Sequence, residues 1–360
     1  ALEFVGRFPG QVNQIAYGTD GRLYATVLED GTTSGAVYVM NADGSTERYS
    51  DTLISPVGLA FQPGTDVLYV TARTTLEEGG ALWLIRTDGT QEMIFDDLPC
   101  CFQEIGNQPN GIIFGQDGLL YMAIGAVTDH AESSHPQTQA FADIFPNEAA
   151  VLQINPHTGD ITPFAQGIHN PYDLTFDSRG TLYATDIGLV TGEGDRLLRI
   201  EEGLNYGWPY YRLRGCASCP ATRGTLEIAP DLLTFPPYTL PHGLTIYQGS
   251  QFPQNMQNTL FVALWNGIEG GQRIVWIDPQ NDDLQGEEYA PQPFVTGLLR
   301  PTDVVVAPDG SLIVADFIYG QLWRVAYTGT SAAVEAASTP GGFVLPTQSS
   351  GGFATSTPQN

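Results

Sequence analysis

Lysine is missing altogether from this 360-residue chain: all 14 basic residues are arginine, against 40 acidic ones, for a net charge of −26. Without lysine there is no Schiff-base chemistry and no ammonium to meet a phosphate or carboxylate ligand. So acidic a surface repels nucleic acid and anionic lipid, and both are excluded as partners. No apolar run approaches the roughly 18 residues a helical membrane span needs, so no membrane span is expected. No N-x-Ser/Thr sequon occurs.

Cysteine is scarce, with four residues in two close pairs: Cys100 beside Cys101, and Cys216 with Cys219 in a C-x-x-C. An even number fits an oxidising compartment. Bridges within the pairs and bridges crossed between them both remain open. Adjacent cysteines are poor spacing for zinc, and no C-x-x-C-H marks haem, so disulfides are favoured over metal. The first residue is alanine rather than methionine, as after removal of a signal peptide. A secreted, extracellular or cell-surface protein is therefore expected.

Turn formers and strand formers are plentiful: 41 Gly, 25 Pro, 16 Tyr and 17 Phe. One phrase recurs six times: "VNQIAYGTDGRLYAT", "PVGLAFQPGTDVLYVT", "PNGIIFGQDGLLYMA", "PYDLTFDSRGTLYAT", "PHGLTIYQGSQFPQNMQNTLFVA" and "PTDVVVAPDGSLIVA". Each is a strand, a turn through Asp-Gly or its equivalent, and a returning strand. A third strand follows in every copy ("GAVYVM", "GALWLI", "AAVLQI", "RLLRI", "RIVWI", "QLWRV"), and most copies add a weaker fourth, such as "ITPFAQ" or "QPFVTG". Four antiparallel strands repeated six times predict an all-β, six-bladed β-propeller over residues 1–328. The sixth copy lacks a fourth strand, whereas "LEFVGR" at residues 2–7 has no blade before it. Pairing of this N-terminal strand with the last blade is expected to close the ring and remove two open edges.

In a propeller the first strand of each blade lines the central channel. The loops between second and third strands share one face with the residues that precede the first strands. Those preceding residues are Asn13, Ser55, Asn107 with Gln108, His169 with Asn170, His242 and Arg300. Asp173 and Asp303 enter the channel at matching positions. With Asn110 and Asn170 they are candidate calcium ligands, or else caps on backbone N–H groups of neighbouring strands. The longest such loop, in the third blade, carries His130 and His135 with Asp129 and Glu132, a candidate metal set or simply an exposed polar loop.

The stretches "IHNPYDLTFDSRGTLYATDIG", "GLNYGWPYY", "YQGSQFPQNMQNTLFVALWNG" and "LRPTDVVVAPDGSLIVADF" resemble the pyrroloquinoline-quinone-dependent sugar dehydrogenases, the sorbosone and aldose sugar dehydrogenase branch in particular. The resemblance covers about residues 10–327, and "NYGWP", between blades four and five, is its most specific piece. It implies a histidine base before the third blade's first strand, where this sequence places Asn107 or Gln108. An amide can hydrogen-bond a sugar hydroxyl but cannot take its proton. The resemblance also implies an Arg-Asn-Pro contact to the quinone, here His169-Asn170-Pro171, and a lysine in the fifth blade, here Gln272 or Arg273. Arg300 keeps the sixth blade's arginine, while a second one is replaced by Thr302. An acidic segment tied to calcium reads "DRLL" at residues 195–198.

The leading expectation is thus an exported propeller of this ancestry that has lost catalysis and serves as an assembly or binding subunit. Its rival is an active quinone- and calcium-dependent sugar dehydrogenase, with His169 or His242 as base and Asn170, Arg273 and Arg300 at the cofactor. A third reading is a glycan-binding propeller using Tyr206, Trp208, Tyr210 and Tyr211. Residues 329–360 are rich in Ser, Thr, Gly, Ala and Pro and cannot build a core. Within them "GGFVLPTQSS" is followed by "GGFATSTPQN", placing Phe343 and Phe353 in equivalent positions. Such a tail can lend a strand or its rings to another copy of the protein.

Overall fold

In the computed structural model, residues 1–76, 79–101, 107–127, 147–188, 194–210, 226–286 and 289–329 are described. The expected hairpins form. Strand β1 (Leu2–Arg7) opens the chain, and blade one follows as β2 (Gln11–Tyr17), β3 (Leu23–Leu28), β4 (Ser34–Met40) and β5 (Thr46–Arg48). After a short β6 (Leu53–Ile54), blade two holds β7 (Leu59–Phe61), β8 (Leu68–Arg73), β9 (Gly80–Ile85) and β10 (Gln91–Leu98). Blade three comprises β11 (Pro109–Phe114), β12 (Leu120–Ile124), β13 (Ala150–Ile154) and β14 (Ile161–Gln166). Blade four has β15 (Pro171–Phe176), β16 (Leu182–Asp186), β17 (Asp195–Ile200) and β18 (Leu233–Phe235). Blade five has β19 (Pro241–Ile246), β20 (Leu260–Leu264), β21 (Arg273–Ile277) and β22 (Gln292–Thr296). Blade six has β23 (Pro301–Val306), β24 (Leu312–Asp316) and β25 (Gln321–Val325), and β1 pairs antiparallel with β25 as its outer strand.

The recurring Asp-Gly-x-Leu-Tyr phrase has a local cause. Asp117 Oδ1 accepts the Leu119 N–H at 3.0 Å, and Asp117 Oδ2 accepts the Tyr121 hydroxyl at 2.9 Å. Asp20 repeats this with Arg22 and Tyr24. Gly118 sits at φ +78°, a backbone state that side chains with a Cβ rarely adopt. One aspartate therefore fixes both the turn and the tyrosine of the strand that returns from it.

Among the described residues six apolar clusters form, each shared by two consecutive blades. Leu68 and Val70 of blade two pack with Val37 and Val39 of blade one, and Leu82 of blade two packs with Met122 and Leu152 of blade three. Ile313, Ala315 and Leu322 of blade six meet Val12, Ile15 and Val27 of blade one. Inner strands such as β12, β16, β20 and β24 are buried along their whole length, whereas the outer strands β1, β14 and β22 are largely exposed.

Two local features depart from the simple repeat. Strand β6 pairs with β4 and touches β8 at Arg73, joining blades one and two into one nine-stranded sheet. The "NYGWP" segment does not separate blades four and five. It precedes β18 and packs on blade three: Asn205 bridges Gln166, and Trp208 N–H donates to the Gly167 carbonyl at 2.9 Å.

Candidate functional site

A cleft of about 280 Å³ opens at the channel mouth, on the face expected from the loops. Its polar lining is Asn13, Thr32, Ser55, Arg73, Gln108, Asn110 and Asn170, with Tyr172 and His242 as aromatic walls. Of the two amides in the base slot, Gln108 enters the cleft. Its Oε1 accepts from Arg73 Nε at 2.7 Å and its Nε2 donates to the Ser55 carbonyl at 3.0 Å, so the amide is fixed at both ends. Asn107 lies behind it, buried, its Nδ2 without a partner among the described residues.

Arg73 is the charged side chain of this lining, and sequence reasoning missed it. It ends β8, whereas the expected site residues precede the first strands. Its position as the last residue of a second strand, facing the long-loop side, was the available signal. Asn110 Nδ2 donates to Asn170 Oδ1 at 2.9 Å and to the Pro171 carbonyl at 2.8 Å. Asn170 N–H in turn donates to Asp186 Oδ1 at 2.8 Å.

The two candidate bases differ in placement. His242 stacks on Trp265, with ring centroids 4.8 Å apart and planes 11° apart, and tilts against Tyr172 at 4.1 Å. Its Nδ1 lies 2.9 Å from the Leu240 carbonyl, which can only accept, so Nδ1 carries the proton and Nε2 is left as an acceptor. Burial pushes its pKa down to about 4, with the Leu240 contact opposing, so the ring is neutral at pH 7. His169 is buried, with Nδ1 2.8 Å from the Ile187 carbonyl, and does not line the cleft.

The remaining candidates lie elsewhere. Arg273 Nε donates to the Gly271 carbonyl at 3.0 Å, and Gln272 Nε2 donates to the Leu299 carbonyl at 2.7 Å. Arg300 lies 5.8 Å over the Trp265 ring. None of the three lines the cleft. Tyr206 and Trp208 are fully buried, the Tyr206 hydroxyl donating to the Arg199 carbonyl at 2.6 Å. Asp195 accepts backbone N–H groups of Gly188 and Leu240. Cys100 and Cys101 are joined to each other as a disulfide. His130, His135, Asp129, Glu132, Tyr211, Cys216, Cys219, Phe343 and Phe353 lie outside the described residues.

Asp173 and Asp303 are buried on β15 and β23, the first strands of blades four and six. Asp173 Oδ2 accepts the Leu244 N–H at 2.9 Å and Asp303 Oδ2 the Ile15 N–H at 2.7 Å, so each reaches into the next blade. Space for them comes from glycine: a Cβ on Gly111 would lie 2.5 Å from Asp173 Oδ1, and one on Gly243 2.2 Å from Asp303 Oδ1. Burial raises Asp173 to about 7, and burial together with the Asp173 charge raises Asp303 well above the usual carboxylate range. No group of three or more His, Cys, Asp or Glu side chains with metal-site geometry occurs among the described residues.

This architecture is that of a propeller sugar dehydrogenase. The sequence model for glucose/sorbosone dehydrogenases matches residues 69–324, and the chain belongs to that family. An uncharacterized protein of Borreliella burgdorferi is 26% identical over 203 residues, covering 50% of this chain and 52% of that protein. One from Synechocystis is 28% identical over 168 residues, covering 45% of this chain and 38% of the relative. The chain thus spans about half the length of these curated relatives, or less. Among solved structures, a putative oxidoreductase (glucose dehydrogenase) from Thermus thermophilus superposes with a TM-score of 0.68 at 20% identity, over 90% of this chain and 99% of that one. The PQQ-bound aldose sugar dehydrogenase of Streptomyces coelicolor gives 0.65 at 18%, over 91% and 98%. At these identities the likeness is one of fold.

The quinone the family implies carries three carboxylates, whose burial demands several positive partners. The cleft offers one guanidinium, already held by Gln108 and by the Leu76 carbonyl at 3.2 Å. Among the described residues this donor set does not fit the tricarboxylate.

Proposed function

We propose that this protein is a sugar-dehydrogenase relative that binds a neutral sugar at its channel mouth without oxidising it, as an exported binding and assembly subunit. The observation that carries this reading is the composition of the cleft: amides, hydroxyls, one guanidinium and two aromatic rings, with an amide in the base slot. Amides and hydroxyls exchange hydrogen bonds with sugar hydroxyls, and ring faces meet sugar C–H groups. Oxidation instead needs a group that takes a proton near neutral pH. A neutral imidazole with a pKa near 4 is a weak base for that task.

Family membership supports the rival, an active quinone-dependent sugar dehydrogenase. Dye reduction separates the two: with pyrroloquinoline quinone, calcium and a panel of aldoses, the rate is expected to stay at the sugar-free blank. Sugar-dependent reduction contradicts the proposal. The assembly role rests on the repeated Phe343 and Phe353 segments of the tail, and export on the disulfide and even cysteine count. Protein ending at Gly329 is expected to elute as a smaller species than the full chain in size-exclusion chromatography. An unchanged elution, beyond the lost mass, removes the tail from the account.

A further inference from the structure

We propose that the ligand of this cleft is an oligosaccharide, with one terminal unit at the channel mouth and the following units in a second groove at the seam of blades six and one. The inference rests on the sugar-binding reading above and extends it. The groove measures about 500 Å³, whereas the cleft, at about 280 Å³, falls below the ~300–1,000 Å³ usual for small-molecule sites and suits a single ring. One loop, between β3 and β4, separates the two. Leu28 lines both, Thr32 faces the cleft and Gly31 the groove.

The groove has the chemistry of a sugar subsite. Tyr319, 61% exposed, presents a ring beside the half-exposed Ile318. Gln11 Oε1 is buried with no hydrogen-bond partner among the described residues, and a Cβ on Gly31 would lie 3.6 Å from it. Buried polar atoms are almost always paired, so an orphan amide at a groove wall suits a ligand hydroxyl. Arg7 is exposed and in no ion pair among the described residues. Asp30 is occupied, its Oδ1 taking the N–H groups of Thr32, Thr33 and Ser34 at 2.9–3.0 Å, and Glu29 bonds Tyr38 and Arg48. With both signs of charge on the walls, a neutral polyhydroxylated chain uses them better than an anion or a cation.

The walls are also fixed before any ligand arrives. Phe8 N–H donates to the Gly320 carbonyl at 2.9 Å, and a Cβ on Gly320 would lie 2.2 Å from the Gly10 carbonyl oxygen, so the two loops meet backbone to backbone. A preformed groove costs little ordering on binding.

Calorimetry on the full chain tests this with glucose and two neutral series, maltose to maltopentaose and cellobiose to cellopentaose. Affinity in one series is expected to rise at least about tenfold over glucose, a gain of ~1.4 kcal/mol. Tyr319→Ala should abolish that gain and leave glucose affinity within about twofold; Gln11→Ala, a smaller cut on the groove side, should reduce the gain. No rise with length, or equal weakening of glucose and pentasaccharide by Tyr319→Ala, overturns the inference. Asn110→Ala tests the channel mouth separately. If wild-type protein binds no glucose, the sugar-binding reading fails. If oligosaccharides bind through Tyr319 but are indifferent to Asn110→Ala, the continuous path fails.

Discussion

Arg196→Ala is expected to destabilise the protein by about 3–5 kcal/mol, the cost of leaving buried charges uncompensated. Arg196 is fully buried in β17, with a side-chain exposure of 2%. Its Nε and Nη2 reach Asp186 Oδ2 at 2.8 and 2.5 Å, while Nη1 reaches Asp231 Oδ1 at 3.1 Å and the Tyr206 carbonyl at 2.7 Å. Alanine would leave the Asp186 carboxylate out of water without this counter-charge and take one partner from Asp231. The damage should extend to the cleft, because Asp186 Oδ1 also holds the backbone N–H of Asn170. Urea denaturation measures the first effect and sugar titration the second. A loss below about 1 kcal/mol would put this cluster in the class of exposed surface pairs.

Asp173→Asn should reduce the pH dependence of stability between about pH 4 and 7. The folded pKa of Asp173 is raised to about 7 by burial, above its unfolded value near 4. The folded protein therefore prefers the neutral acid. The penalty is absent below the unfolded pKa, grows between about pH 4 and 7, and is complete above that. Wild-type stability falls through this window on account of the pair, and asparagine removes the contribution. Asp303, raised by burial and by the Asp173 charge, shares the effect; Tyr172, the other titratable group facing them, is raised further above its ordinary range.

His242 acts with the opposite sign. Its folded pKa of about 4 lies below the ordinary 6.5, so stability is lost as pH falls through that interval. The difference between Asp173→Asn and wild type isolates the carboxylate. The variant's Tm relative to wild type should rise by about 4 °C or more between pH 5 and pH 8. A difference that does not vary with pH would mean that Asp173 is ionised throughout.

Much of the fold was legible because its signals are local. "LEFVGR" leads into the first repeat with no blade before it, and it pairs with β25 from Leu2 opposite Val325 to Arg7 opposite Gln321, with one register shift between Phe4 and Gly6. The turn aspartates Asp20 and Asp117, with Tyr24 and Tyr121, announce their hairpins. The bridging β6 was not legible, since two residues, Leu53 and Ile54, carry no periodicity. Nor was the placement of "NYGWP", because a segment's contact with the preceding blade depends on loop paths that sequence does not encode locally.

The site was half legible. Asn13, Ser55, Gln108, Asn170 and His242 stand where the loop argument put them, at the cleft. Arg73 was hidden because a strand-end arginine looks like any solvated residue until its partner Gln108 is in place. The separation of Gln108 from Asn107 was equally hidden. Adjacent residues of an extended segment point opposite ways, and the strand register decides which one faces the channel.

The most direct test is a paired titration of the full-length protein with glucose and, separately, with pyrroloquinoline quinone in the presence of calcium. The account predicts heat of binding for the sugar that is lost in Asn110→Ala, and none for the quinone. Saturable quinone binding that converts added glucose to its oxidised product would contradict it.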